Sequence, residues 1–297
     1  MIKVGVIGHT GRLGKPLVEK LKKHPYAEIV YTHSTSEPSK ITLLESKAEL
    51  LFSALDKRIS KEYEHEWQYI RVIDLSIDHR LDDEWVYGLP ELNKDRIKGA
   101  RKVANPGCYA TAILLALLPI KDYLSDVEIK AYSGVSGRYG QEVIENGGIE
   151  RYAQGREHQQ VAEIEKWLGK RIEYFEPHIV YPIETGIVAK IEAQLNTDPS
   201  KIKSIYEESF KDKPFIKLTR FTSIKDLEAN DLNLNLNYLK GTLEEVVNTN
   251  FCCISFNVDK DKIKIVSKLD NLIKGGSGQA VQNMNLMYGF DERTGLL

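Results

Sequence analysis

The residue types best placed for covalent chemistry fall in one short run, Asn105-Pro106-Gly107-Cys108-Tyr109-Ala110-Thr111. Pro106 and Gly107 make a turn, and the apolar stretch AILLALLPI (112–120) reads as the helix that follows. A thiol in the first turn of a helix meets the positive end of the macrodipole and N–H groups that lack intrahelical acceptors. Both favour the thiolate, the nucleophilic form, and the same N–H groups can hold an oxyanion. Cys252 and Cys253 instead lie in the apolar pattern FCCISFNVD (251–259), the setting of a buried structural cysteine. With three cysteines, two adjacent and no CxxC spacing, the sequence argues against a disulfide framework and against structural zinc.

A second set of residues suits phosphate binding. Gly8, Gly11 and Gly14 stand at G-x-x-G-x-x-G spacing after the apolar run IKVGVIG (2–8). They precede KPLVEKLKKH (15–24), where Leu17, Val18 and Leu21 recur at helical spacing. Phosphates must come within hydrogen-bonding distance of bare backbone N–H groups, and a Cβ at the glycine positions would block that approach. The loop Gly8, Thr10, Gly11, Arg12, Leu13 and Gly14 is therefore expected to cradle a dinucleotide. An NAD enzyme needs a carboxylate at the end of the second strand for the ribose 2′-hydroxyl. Here that region reads Thr32-His33-Ser34-Thr35-Ser36, and the first acid is Glu37. Hydroxyls such as Ser34 suit a 2′-phosphate, so NADP is the expected cofactor.

These residues must be positioned by an α/β framework. The runs EIVYT (28–32), LLFSAL (50–55) and YIRVIDLS (69–76) read as further strands, and strand–glycine turn–helix–strand opens a doubly wound parallel sheet. After the cysteine the pattern changes. VEIKAYSGV (127–135), IVAKIEAQL (187–195) and FCCISFNVD (251–259) suit a mixed sheet in a second domain. EHQQVAEIEKWL (157–168) reads as a charged helix, and GGSGQAVQNMNLMYGF (275–290) opens with glycines and continues as a helix. The expected division is a Rossmann-type dinucleotide domain over 1–107 that regains 276–297, and an α+β domain over 108–275.

The segment ANPGCYATA resembles the active-site run of the N-acetyl-gamma-glutamyl-phosphate reductases, within the aspartate-semialdehyde dehydrogenase-like superfamily. GHTGRLG resembles that family's dinucleotide loop, and VIDLSIDHRL (72–81), VYGLPELN (86–93) and GVSG (134–137) resemble further family segments. GGSGQAVQNMNLMYGFDERTGL (275–296) is similar to its C-terminal signature. The resemblance implies an NADPH-dependent reductase in which Cys108 attacks an acyl phosphate and the thioester accepts hydride. It also implies cofactor contacts from Ser136, Gly137 and Asn283, and substrate contacts from Asn105. Glu163-Ile164 align with the end of a family segment reading His-Arg-His-Thr-Pro-Glu-Ile. His158 then falls on the first histidine and becomes the expected acid/base group, while Gln159 and Gln160 replace the arginine and the second histidine. His178 is the rival position, expected on the substrate side.

The chain departs from the family in other places. The arginine after GVSG comes two places early, as Arg138, and is expected to bind substrate oxygens because a guanidinium fork suits phosphate or carboxylate. Asp78 and Arg80 match an Asp-Phe-Arg triplet with His79 in place of the phenylalanine, and read as structural. Segments before LLFSAL and between HRLDDE and VYGLPEL look shortened. Two other readings stay open: a reductase acting on a carrier-protein-bound aminoadipyl or glutamyl phosphate, and a non-catalytic NADP-binding homologue.

The totals frame these expectations. Hydrophobic residues make up 42% of 297 and the net charge is −2, which suits globular domains and gives no basic surface for nucleic acid. A strand pattern that opens at residue 2 leaves no leader peptide, and the longest apolar run is broken by Pro119, so a cytoplasmic enzyme is expected. The open sheet of the second domain would expose a face unless buried against a twin, which predicts a homodimer or homotetramer.

Overall fold

The computed structural model describes residues 1–34, 47–137, 148–153, 155–219 and 236–297. Two compact units divide the chain: residues 1–107 with 275–297, and residues 108–274.

The first unit carries a six-stranded, all-parallel sheet. Its strands are β1 (Ile2–Ile7), β2 (Ala27–His33), β3 (Leu50–Ser53), β4 (Arg71–Asp74), β5 (Val86–Tyr87) and β6 (Lys102–Ala104), in the order β2-β1-β3-β4-β6-β5. The direction of winding reverses between β1 and β3, the topological switch point at which ligands bind beyond the carboxyl ends of such sheets. β3 is buried along its whole length, as a strand covered on both faces must be. Helix α1 (Gly14–Lys23) turns Leu17 and Leu21 inward and ends on Lys20, Lys22 and Lys23, charges that suit the negative end of its dipole, and α2 (Ile59–Tyr63) and α3 (Pro90–Lys98) follow β3 and β5.

The returning C-terminal helix of this unit, Gly278–Met287, departs from any simple pattern. All ten of its residues are buried, including Gln279, Gln282, Asn283 and Asn285. Buried amides need partners, and the unit supplies them. Gln279 and Asn283 both donate to the Gly88 carbonyl, at 3.2 and 2.9 Å. Gln282 donates to Glu292, and Asn285 Oδ1 lies 2.9 Å from His24 Nε2. Gly88 is required here, because a Cβ at that position would press on Asn283 and Val103.

Beyond the end of β4 lies a buried polar cluster. Asp74 accepts from Ser60 and Ser76 and sits 2.7 Å from His79 Nδ1. His79 Nε2 lies 3.3 Å from Glu64, which Lys102 pairs at 2.9 Å, and the His79 ring stacks on Trp85 with centroids 4.0 Å apart. Burial disfavours the charged imidazole, but the Asp74 hydrogen bond and the charges of Asp74 and Glu64 outweigh it, so the His79 pKa is raised. Stability from a raised histidine is complete below its unfolded pKa of about 6.5 and is lost as pH rises through the folded value. His79→Phe is thus expected to lower stability by about 1–3 kcal/mol at pH 6, because it strips a partner from a buried carboxylate. The deficit against wild type should shrink by pH 9. Urea melts of both proteins at the two pH values check this, and a pH-independent deficit would contradict it.

The second unit holds a seven-stranded mixed sheet in the order β11-β12-β13-β10-β7-β9-β8. The strands are β7 (Leu124–Gly134), β8 (Gly148–Arg151), β9 (Tyr174–Tyr181), β10 (Ile187–Leu195), β11 (Ile216–Leu218), β12 (Cys252–Asp259) and β13 (Lys262–Leu269). Helices α4 (Cys108–Leu117) and α5 (Val161–Leu168) pack together, and α4 lies against β10 and β13. Residues 109–117 of α4 are all buried, as its unbroken apolar run requires. α5 starts four residues later than the charged pattern from 157 implied: Gly155–Glu157 form a separate 3-10 turn.

Candidate active site

In the first unit, the glycine loop lies directly beyond β1. Gly8 N donates to His33 O at 2.7 Å, and Gly11 N donates to Gly8 O at 3.0 Å. Gly8 has φ +78°, and a Cβ there would run into the Ala54 carbonyl just past β3. A Cβ on Gly14 would run into the Gly8 carbonyl and His9 backbone. The loop is thus built from bare backbone against the switch point. Thr10 Oγ1 and Ser34 Oγ lie 3.1 Å apart, which joins two of the expected cofactor residues beyond β1 and β2. Arg12 is half-buried and Leu13 is the residue before α1. Thr35, Ser36, and Glu37 fall outside the described residues, as does Arg138.

Asn105 and Asn283, far apart in sequence, meet directly: Asn283 Nδ2 donates to Asn105 Oδ1 at 3.1 Å. Asn105 follows β6, where Arg80 Nε donates to its carbonyl at 2.9 Å and its own amide donates to Gly276 O at 3.1 Å. Asn105 N also donates to Asp74 O at 2.7 Å. Asn283 Oδ1 and Gln279 Oε1 are buried acceptors without a hydrogen-bond partner among the described residues. A dinucleotide fits this unit through a phosphate cradle of bare backbone, where a Cβ on Gly8 or Gly14 would meet backbone atoms.

In the second unit, Cys108 is the first residue of α4, and it is half-buried. Around it sit groups from three other segments. Gln160, the residue before α5, accepts from Ala110 N through Oε1 at 3.0 Å and brings Nε2 to 3.9 Å from Cys108 Sγ. His158 is 6% exposed, with its ring 5.2 Å from that of Tyr109, 5.7 Å from Tyr152 and 5.1 Å from Phe175. Its Nδ1 accepts from Gln160 N at 3.3 Å, which leaves Nε2 as the protonated edge of the neutral ring. Burial pushes the His158 pKa down to about 4. The ring is therefore neutral near pH 7, whereas a thiolate–imidazolium pair would need it charged. Tyr152 donates to the Tyr109 hydroxyl at 3.1 Å. Burial first, then Tyr152 and Cys108, push the Tyr109 pKa well above its usual range, so that hydroxyl keeps its proton.

His178 lies elsewhere in the same unit. It follows Phe175 by three residues on β9, and alternation turns the two to opposite faces of the sheet. Phe175 packs on Tyr109 of α4, whereas the His178 ring stacks on Tyr132, centroids 4.8 Å apart, and pairs with Glu176 at 3.2 Å. Glu176 also holds Arg151 and the Tyr174 hydroxyl. Ser136 and Gly137 form the short turn after β7, where Ser136 Oγ accepts from Asn271 at 3.0 Å and a Cβ on Gly137 would press on Ser133. The structure thus brings His158 to the Cys108 helix and leaves His178 across the sheet from it.

Family models match both units. One described as "Semialdehyde dehydrogenase, dimerisation domain" covers residues 108–271, and one described as "Semialdehyde dehydrogenase, NAD binding domain" covers residues 37–100. The chain is 34% identical over 353 aligned positions to the N-acetyl-gamma-glutamyl-phosphate reductase of Methanocella arvoryzae, covering 100% of this chain and 98% of that protein. It is 34% identical to the enzyme of that name from Parabacteroides distasonis, with the same coverage. The chain belongs to the N-acetyl-gamma-glutamyl-phosphate reductase family.

Family membership makes it a nicotinamide-dependent oxidoreductase. An alignment of 353 positions against 297 residues leaves at least 56 positions (353 less 297) at which this chain has no counterpart. The fold is that of aspartate semialdehyde dehydrogenase II from Vibrio cholerae, with TM-score 0.73 at 17% identity over 97% of this chain and 99% of that one. The aspartate semialdehyde dehydrogenase of Candida albicans superposes with TM-score 0.69 at 14% identity over 97% of this chain and 98% of that one. Among the described residues no helix is long and apolar enough to cross a membrane, and no cluster of His, Cys, Asp or Glu could hold a metal ion.

The residue that sequence reasoning passed over is Gln160. Its place in the alignment, on the family's second histidine, was the available signal, but it counted only as a loss until the fold put its amide beside the sulfur.

Proposed function

We propose that the protein reduces N-acetyl-gamma-glutamyl phosphate with NADPH, releasing phosphate and N-acetylglutamate semialdehyde. The observation that carries this reading is Cys108 at the N-terminus of a buried helix, with an amide donor on its sulfur and a neutral histidine packed on the neighbouring tyrosine. The Cys108 thiolate forms the C–S bond at the acyl carbon while the C–O bond to phosphate breaks, and the first-turn N–H groups of α4 other than that of Ala110, which Gln160 holds, would face the developing oxyanion. The dinucleotide supplies hydride to the thioester carbon when bound. His158 serves as the acid/base group: its Nε2–H hydrogen-bonds the thiohemiacetal oxygen as charge develops there, and collapse of that adduct returns the thiolate and frees the aldehyde with the proton still on Nε2. The residues proposed to hold the dinucleotide are Gly8, Thr10, Gly11, Arg12, Leu13, Gly14, Ser34, Ser136, Gly137 and Asn283, and those proposed for substrate are Asn105 and Arg138; His178, across the sheet from the Cys108 helix, is not among them.

Two features support NADP over NAD. The described end of β2, Thr32-His33-Ser34, carries no carboxylate, and Ser34 is held by Thr10 on the loop itself. A steady-state assay in the aldehyde-oxidising direction, with N-acetylglutamate semialdehyde, phosphate and either dinucleotide, tests both substrate and cofactor. Turnover with a kcat/KM for NADP about tenfold or more above NAD is expected, the size of one charge-assisted hydrogen bond to the extra phosphate. Parity between the dinucleotides would remove the NADP assignment. Turnover only with carrier-bound aminoadipate semialdehyde would move the substrate to the related reductase class, and no turnover with either would favour a binding homologue.

The second unit's sheet supports a homodimer. Residues 108–271 match a family model described as a dimerisation domain, and an open seven-stranded sheet gains by burying a face against a second copy. Sedimentation equilibrium at micromolar protein should give twice the chain mass or a larger multiple. A single monomeric species would overturn the proposal.

A further inference from the structure

The amide of Gln160 spans two groups that the chemistry needs, and donor–acceptor logic settles its orientation. The Ala110 backbone N–H can only donate, so the Gln160 atom 3.0 Å from it is the carbonyl Oε1. The –NH2 group is then turned to Cys108 Sγ at 3.9 Å, with nitrogen the donor and sulfur the acceptor. The Gln160 side chain is buried with only 7% of the residue exposed, so this contact works in a medium where each hydrogen bond counts for more than in water. Its backbone N–H meanwhile holds His158 Nδ1. One residue thus touches the helix that carries the sulfur, the sulfur itself, and the histidine ring.

We propose that Gln160 is a catalytic residue, whose side-chain amide donates to Cys108 as the thiolate while its carbonyl fixes the first turn of α4. The proposal rests on Cys108 being the nucleophile. Titratable groups of the elements packed here include the Tyr109 hydroxyl on α4, the Tyr152 hydroxyl that donates to it, His158 ahead of α5 and the buried Glu163 in the first turn of α5. Among these described groups none carries positive charge near pH 7. The sulfur's charge is therefore favoured by neutral donors, the Gln160 amide and the helix dipole, and that support does not disappear when an imidazolium loses its proton.

Gln160→Glu separates this role from a structural one. Glutamate keeps an oxygen for the Ala110 N–H, so the helix turn stays capped, but it has no N–H for sulfur and brings a like charge. Alkylation of Cys108 by iodoacetamide, followed across pH on the full-length protein, reads the thiol's ionisation directly. Its midpoint in Gln160→Glu should rise by about 1 unit or more, with the rate at pH 7 falling about tenfold and the high-pH plateau unchanged. Gln160→Met, similar in length and neutral, should move the midpoint in the same direction by a smaller amount, and it serves if the glutamate variant fails to fold. Unchanged midpoints in the folded variants would overturn the role of Gln160 while wild-type turnover left Cys108 in place. Wild-type protein without turnover would fail the functional reading instead, and the alkylation midpoints would still decide for or against the amide–sulfur contact.

Discussion

Replacing Cys108 with serine is expected to lower turnover by about 1,000-fold or more, the scale seen when a covalent nucleophile is removed from an intact site. Serine fits the same corner, so the loss would be chemical. The helix N-terminus and the Gln160 amide favour charge on sulfur, whose reference pKa is about 8.5, but a serine hydroxyl stays protonated throughout the neutral range. Circular dichroism and melting of the variant should match wild type, because Cys108 is half-buried and is not among the packed side chains of α4. Iodoacetamide should label wild type at Cys108 near neutral pH and spare Cys252 and Cys253. Both are fully buried in β12, and burial pushes the Cys253 pKa up to about 11. Full activity in Cys108→Ser would end the covalent reading.

The second large effect concerns His158. Its replacement by alanine should slow turnover by about 100- to 10,000-fold, the range for a lost acid/base group. His178→Ala should cost far less, because His178 lies across the sheet against Tyr132 and Glu176. The pH profile carries the sharper test. An ordinary histidine near 6.5 would place an acid limb between pH 6 and 7. Burial holds His158 neutral down to about 4, so activity governed by this ring should persist below pH 6. The sign for stability is opposite to that of His79. A histidine whose folded pKa is depressed takes up its proton more readily unfolded, so its contribution is present above about 6.5 and is lost as pH falls toward 4. Measuring kcat against pH for wild type and both variants decides the point. A reversed order of the two alanine variants would move the acid/base role to His178 and leave Cys108 where it is.

The two histidines show how far sequence alone could go. Alignment through Glu163-Ile164 ranked His158 above His178, but nothing in the spacing told which face of a strand either would occupy. That follows from β9, a strand the apolar periodicity did not reveal because Glu176 and His178 interrupt it. Glu176 is buried there by pairing with His178, Arg151 and Tyr174 rather than by hydrophobicity, and His178 is half-buried beside it. β13 was likewise obscured, since KIKIVSKL alternates lysine with aliphatic residues and gains its identity only beside β10 and β12.

The sequence by itself determined the candidate thiol, the glycine loop and the family. Each depends on local chemistry: a cysteine after Pro-Gly at a helix start, glycines where a Cβ cannot fit, and a specific C-terminal run. Tertiary structure alone decided which distant polar groups meet. The amides of Gln279, Gln282, Asn283 and Asn285 look like one solvated helix face in the sequence, yet all four are buried, each with a partner among Gly88, Asn105, Glu292 and His24. Gln160 changed meaning in the same way, from a missing histidine to the amide on the Cys108 sulfur. A hydrogen bond between residues 52 positions apart leaves no periodic trace in a single sequence, and only the packing of α5 against α4 makes it possible.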